Sequence, residues 1–449
     1  MGFGILTTLK SLAPAFLYFV GIILFFATFA GKVHWTLAFV TFLIPLRNVV
    51  ERVQQFPIGT KFLTILIFTM TLVWFLRAFG QRFRFVPTSL LNFTSIVLIF
   101  YTFISLQIGN QYLQDPFFNI GDSRVRDWKN FCMMPLLFFI TLNSITDKKW
   151  VWRIFTVMCV SMFVMTYYTM TQITWFSALV SRTKITGTFQ FLGPNEVAAF
   201  FDQYTLLLMS VYFFMKRGMK KTLLLILILM NLFCIMFLYS RAAYLATFIG
   251  MILLFALKNR KLLFILILAA VFWQTVLPQK AAERIQQTTD EYGEIVDISA
   301  ERRFLIWSRS MELVQENPLA GIGFGVFRHL GYDLGDPHNI YLKILVEQGI
   351  FGLLIFIMII LCLLKEGFLL YKKGDDDLSK GLGLGLMICV IVLLINNIFG
   401  DRWTYFELSS YLWIYAALAA RLNAIATETA QAAKALSRRN SKKSPKHHV

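Results

Sequence analysis

Apolar runs of about 20 residues recur from one end of this chain to the other, and no other feature constrains its fold as tightly. A run of that length spans the hydrocarbon layer of a bilayer when it coils as an α-helix. In lipid such a helix satisfies its backbone groups within one segment. Thr222–Tyr239 opens Thr-Leu-Leu-Leu-Ile-Leu-Ile-Leu-Met, without the polar alternation of a transmembrane barrel strand. Composition agrees, since 57% of the 449 residues are hydrophobic and only 15% are charged. A soluble chain this long would carry far more charge. The sequence therefore predicts an all-α, polytopic integral membrane protein.

Candidate spans fall near 11–30, 33–50, 61–79, 88–108, 131–145, 150–172, 194–214, 222–239, 241–257, 261–277, 349–366, 381–399 and 405–422, which predicts 12 or 13 crossings. Ser11–Ala30 lacks a small-residue cleavage site and reads as the first span rather than a leader. Arg47, Glu51 and Arg52 make the second short or interfacial. The net charge of +18 collects in alternate short connections, such as Lys216, Arg217, Lys220 and Lys221, or Lys258, Arg260 and Lys261. That distribution points to cytoplasmic anchors on a lipid bilayer and not to nucleic acid. The opposite face then receives Gly109–Lys129, Ile173–Gly193, the Ser240-Arg241 junction, Pro278–His338 and Asp401–Glu407. Four parts follow: a bundle over 1–277, a loop subdomain over 278–338, helices over 339–428, and a disordered basic cytoplasmic tail over 429–449. The five cysteines lie in apolar segments without a spaced cluster, so they argue neither a disulfide framework nor a metal site.

The polar sequence that is not an anchor lands on one face, and there the chemistry concentrates. Asp336-Pro337-His338-Asn339-Ile340-Tyr341-Leu342 ends the long loop and opens an apolar span. Asp336 reads as the cap of a helix whose first residue is Pro337, with His338 and Asn339 in its first turn. Such a histidine either helps to cap the helix or acts on a charged, membrane-bound substrate. Upstream, Ser299 predicts a helix from about Ala300 to Glu316, stopped by Asn317-Pro318. Arg302, Ile306, Arg309 and Leu313 share one of its faces, while Phe304, Trp307, Met311 and Val314 favour another. Gly321-Ile322-Gly323-Phe324-Gly325 lacks the strand–turn–helix setting of a nucleotide loop and reads as a tight turn or close packing. Arg241 stands between two apolar runs on a face that snorkelling anchors avoid. Arg182 and Lys184 precede Gly187 in a further loop of that face.

Several guanidiniums, a lysine and a histidine thus converge on one membrane surface. No nucleotide motif appears, no Asp-x-Asp pair for a divalent metal occurs on that surface, and there is no cofactor signal. Arginine is suited to bidentate phosphate contacts, so such a cluster can hold a diphosphate and stabilise it as a leaving group. His338, kept neutral by a helix N-terminus, either accepts a proton from an acceptor hydroxyl or orients a substrate.

Together these residues resemble the O-antigen ligase and O-antigen polymerase superfamily of bacterial envelope enzymes. The resemblance rests on Ser240-Arg241, on Arg302/Arg303…Trp307…Pro318…Gly321-x-Gly323, and on Pro337-His338-Asn339-x-Tyr341-Leu342…Glu347-x-Gly349…Gly352. Gly187-Thr188-Phe189…Pro194-Asn195 adds to it, and the whole covers roughly residues 180–360. It implies a metal-independent GT-C-like glycosyltransferase of the inner membrane, acting on the periplasmic side. The donor would be an undecaprenyl-diphosphate-linked glycan. The acceptor would be lipid A–core in a ligase, or another lipid-linked glycan in a polymerase. By the same resemblance His338, Arg241 and Arg302 or Arg303 fall on the essential positions. Arg182, Lys184, Arg309, Asn339 and Tyr341 complete the candidate binding set. Lys184 departs from the arginine that many relatives carry there. The rival reading is a transporter of lipid-linked glycans, against which stands the lack of central charges in 222–239, 261–277 and 349–366.

Overall fold

The computed structural model describes residues 2–80, 89–117, 121–176, 185–276, 279, 281, 282, 298–330 and 336–443. Among them are 16 α-helices and no strand. In chain order they begin with α1 (Gly2–Phe29), α2 (Val33–Leu43), α3 (Arg47–Val53), α4 (Phe62–Gly80), α5 (Leu90–Tyr112) and α6 (Ser123–Ser144). Next come α7 (Lys148–Phe176), α8 (Pro194–Phe214), α9 (Met219–Phe237), α10 (Arg241–Lys258), α11 (Arg260–Val271) and α12 (Trp273–Val276). The last four are α13 (Ile298–Glu316), α14 (Ile340–Lys373), α15 (Asp377–Ile398) and α16 (Phe406–Lys443). The chain is a polytopic all-α membrane protein.

Nine of the described helices are long and apolar enough to cross a membrane, or ten if α2 and α3, bent by 111°, form one broken span. That is fewer than the 12 or 13 crossings expected. The stretches at 131–145, 261–277 and 405–422 do not qualify, each for its own reason. Arg124, Arg126, Asp127 and Lys129 occupy the first turns of α6, and α11 ends after 12 residues. In α16 the run Leu408–Leu422 is buried by neighbouring helices. Protein, not lipid, surrounds it, so Ser409, Ser410 and small alanines serve packing and hydrogen bonding better than bulk hydrophobicity would. α16 also continues to Lys443 through residues read as a disordered tail. Its Ala-Gln-Ala-Ala-Lys-Ala-Leu segment has high intrinsic helix propensity, which outweighs the absence of a core pattern.

α15 packs closely against both α8 and α14, and α16 against α6, while α11 buries no residue. α14 is broken at Gly349, whose φ of +64° and ψ of −166° suit only glycine. The break frees backbone groups that must find partners elsewhere. The Gly321–Gly325 loop supplies many of them: Ile322 N–H donates to Val346 O and Gly323 N–H to Glu347 O, both at 2.9 Å. The Tyr101 hydroxyl donates to Gln348 O at 2.6 Å, and Ile350 N–H donates to Pro318 O at 2.9 Å. Close packing is thus the use of the glycine-rich motif. A Cβ on Gly323 would come within 2.1 Å of the Gly109 Cα. α13 matches the expected helix within two residues at its start and ends at the same Glu316. Its Ile306 and Leu313 form a small second core with Ile322, Val326, Phe327, Leu342 and Val346. Phe304, Leu305 and Met311 remain exposed on its other side.

Candidate active site

His338 precedes the helix and does not lie in its first turn. Asn339 is the N-cap of α14, its side chain accepting from Tyr341 N–H at 3.0 Å and Leu342 N–H at 3.2 Å. This corrects the expectation of Asp336 as cap and Pro337 as first residue. The physical reason is Lys343: its ammonium holds Asp336 Oδ2 at 2.8 Å, and Asp336 Oδ1 accepts only the His338 backbone N–H, at 3.2 Å. His338 itself adopts a φ of +51°, in a region that costs a residue with a Cβ about 1–2 kcal/mol.

Three elements hold that turn. From α13, Trp307 Nε1 donates to Pro337 O at 2.9 Å. From α14, Lys343 bridges Asp336 to Asp401 Oδ2, the latter at 2.9 Å. From the connection between α15 and α16, Asp401 Oδ1 in turn accepts Trp403 N–H at 3.0 Å and Thr404 N–H at 2.8 Å. Beside this clasp, Arg402 pairs with Glu196 of α8 at 2.9 Å, and Arg402 Nε is buried with no hydrogen-bond partner among the described residues.

Partial burial lowers the pKa of His338 below the ordinary 6.5, with Arg303 and Arg402 adding to that effect while Asp336 and Glu196 oppose it. Burial, more than a helix N-terminus, thus favours the neutral ring. Burial pushes Asp336 up, yet Lys343 beside it prevails and holds the carboxyl below the usual carboxylate range.

The remaining candidates disperse. Arg303 acts on His338, whereas the Arg302 side chain, Arg182 and Lys184 lie outside the described residues. Arg309 pairs with Glu312 on its own helix. The Tyr341 hydroxyl donates to Leu394 O at 2.8 Å and ties α14 to α15. Thr188 is buried in the α2–α3 bend, its hydroxyl bonding Pro45 O at 2.5 Å, so that part of its loop packs the fold. Arg241 lines a groove of about 600 Å³ with Leu232, Ile235, Met236, Phe248 and Trp273, and is the one charged residue among the described residues of its wall. Among the described residues no group of three or more His, Cys, Asp or Glu side chains is placed to hold a metal ion.

A second cavity, of about 440 Å³, opens beside Asp336 and Pro337. Nine residues of straight helix would place Glu347 about 13 Å from His338. Glu347 nevertheless shares the cavity wall with Asp336 and Lys343. Sequence reasoning missed the Glu196–Arg402 pair, whose members are far apart in the chain and carry no local signal. No curated protein matches the chain. Residues 223–357 match the family model described as O-antigen ligase, a segment that runs from α9 through Arg241, α13 and His338 to the break at Gly349. Over that segment this multi-pass membrane protein is similar to the O-antigen ligase family.

Proposed function

We propose that this protein transfers a glycan from an undecaprenyl-diphosphate carrier to a hydroxyl of lipid A–core, on the periplasmic face of a bacterial inner membrane and without a metal ion. The observation that carries this reading is the groove at Arg241. A guanidinium in the wall of a largely apolar groove suits a substrate with an anionic head and a long hydrocarbon tail. Arg303 and Arg402 add positive charge near His338.

In the proposed step the acceptor oxygen forms a bond to the anomeric carbon of the glycan. The bond from that carbon to the diphosphate breaks, and its electron pair leaves on the diphosphate, whose charge the arginines stabilise. The hydroxyl proton passes to the neutral His338 imidazole. The test is reconstitution in proteoliposomes with undecaprenyl-diphosphate-linked glycan and lipid A–core. Glycan on lipid A–core, with undecaprenyl diphosphate released, is the expected result. Longer glycan on the lipid carrier would make the protein a polymerase, and neither product would overturn the reading.

A further inference from the structure

The cavity of about 440 Å³ beside Asp336 differs from an anion site in the way its charges are matched. Among the described residues its wall holds three cations, Arg47, Arg328 and Lys343, and four carboxyls, Asp127, Asp336, Glu347 and Glu407. Each cation already faces carboxylates. Arg47 lies 3.5 Å from Glu407 and 3.3 Å from Glu51. Lys343 lies between Asp336 and Asp401, at 2.8 and 2.9 Å. Arg328 is 3.6 Å from Asp127 and 3.9 Å from Asp336. A diphosphate entering here would meet four carboxyls and would have to displace paired ones, which works against binding.

The same wall suits a different ligand. Fixed carboxylates accept hydrogen bonds from neighbouring hydroxyls, while paired arginine and lysine keep N–H groups to donate. Phe191, Phe324, Phe327, Tyr405 and Phe406 add aromatic surface, which the apolar C–H face of a sugar ring can cover. The volume falls within the range of small-ligand sites. Glu347 is the most enclosed of the four carboxyls, at 3% exposure, and Gly325 N–H bonds its carboxylate. We infer that this cavity binds an uncharged saccharide, the sugar end of the acceptor, with Glu347 and Arg328 orienting its hydroxyls toward His338. The inference rests on the transfer reading for the word acceptor, but sugar binding as such can be tested without it.

Asn130 lines the cavity and makes none of these ion pairs, so Asn130→Cys provides a reporter. Four native cysteines are buried and Cys159 is partly so, and wild-type protein gives their background. In nanodiscs, labelling of Asn130→Cys by a small methanethiosulfonate is followed with maltose, lactose, chitobiose or inorganic pyrophosphate present. At least one disaccharide should slow labelling about fivefold or more, and pyrophosphate should not. Glu347→Gln should abolish that protection. Because a buried substitution can unfold the protein, Arg328→Gln at the more exposed rim serves as the second variant and should weaken protection. Protection by pyrophosphate in place of sugars, or by none of the four, overturns the inference. If sugars protect but the wild-type protein transfers no glycan in proteoliposomes, the transfer reading fails while the saccharide site stands. If transfer occurs, both variants should raise the KM for acceptor about tenfold and leave the KM for donor unchanged; a raised donor KM instead would overturn the assignment.

Discussion

The groove at Arg241 presents one charged side chain among apolar neighbours, whereas the cavity beside Asp336 sets three cations against four carboxyls. The two regions use arginine for opposite ends. In the groove the described side chains that line the wall beside the guanidinium are apolar or neutral, a setting that suits a lipid-borne substrate. In the cavity Arg47 and Arg328 face carboxylates that offset their charge. Counting basic residues on one membrane face therefore does not locate a diphosphate.

The largest expected effect falls on His338, which stands apart from both regions' binding roles. His338→Ala should lower transfer by roughly two to four orders of magnitude, the span usual for a positioned base, without weakening donor binding. Measured turnover and donor affinity falling together would make His338 a diphosphate ligand and blur the division between groove and cavity. At Arg241 the expected loss is about 10- to 100-fold in donor affinity for Arg241→Ala, from a charge-assisted bond worth about 1.5–3 kcal/mol. Arg241→Lys should recover little of it, since an ammonium cannot make a two-pronged contact. Wild-type donor affinity in the lysine variant would remove the groove from the comparison.

Gly349→Ala tests whether the cavity wall depends on the broken helix. A Cβ there would come within 2.2 Å of Leu319 O, at a φ of +64°. The expected cost is about 1–3 kcal/mol of stability, read as a lower thermal midpoint in detergent, with loss of saccharide protection before loss of donor binding. Asn339→Ala should cost about 1 kcal/mol through the lost cap, and lower turnover less than His338→Ala does. The smallest effect is on pH. A base must be neutral, so activity should fall as pH drops through the His338 titration, which lies below 6.5. Asp336 favours the charged ring, so Asp336→Asn should move that midpoint lower still. A midpoint moving upward would show that the titrating group is not His338.

Much of the fold was legible because bilayer and backbone impose it. Apolar length marked spans such as Leu90–Tyr112 and Pro194–Phe214, and Asn317-Pro318 marked the end of α13. α16 escaped that logic, since a helix enclosed by protein has no need of the hydropathy that lipid demands. The site was legible as residue types and not as a geometry. His338 and Arg241 stood out by position, and Arg302 or Arg303 by the resemblance. Lys343, which displaces Asp336 from the cap, gave no local sign of its two carboxylate partners.

The sequence by itself determined an all-α membrane protein with its polar chemistry gathered in a few connections, because the cost of unsatisfied backbone in lipid acts on each segment separately. Only the tertiary structure decided which carboxylates each cation of the cavity meets. It also decided where α14 breaks and that Glu347 faces the same cavity as Asp336. Those outcomes depend on pairings between distant segments, such as Glu196 with Arg402 and Lys343 with Asp401, and a Coulombic pairing leaves no periodicity in the chain that forms it.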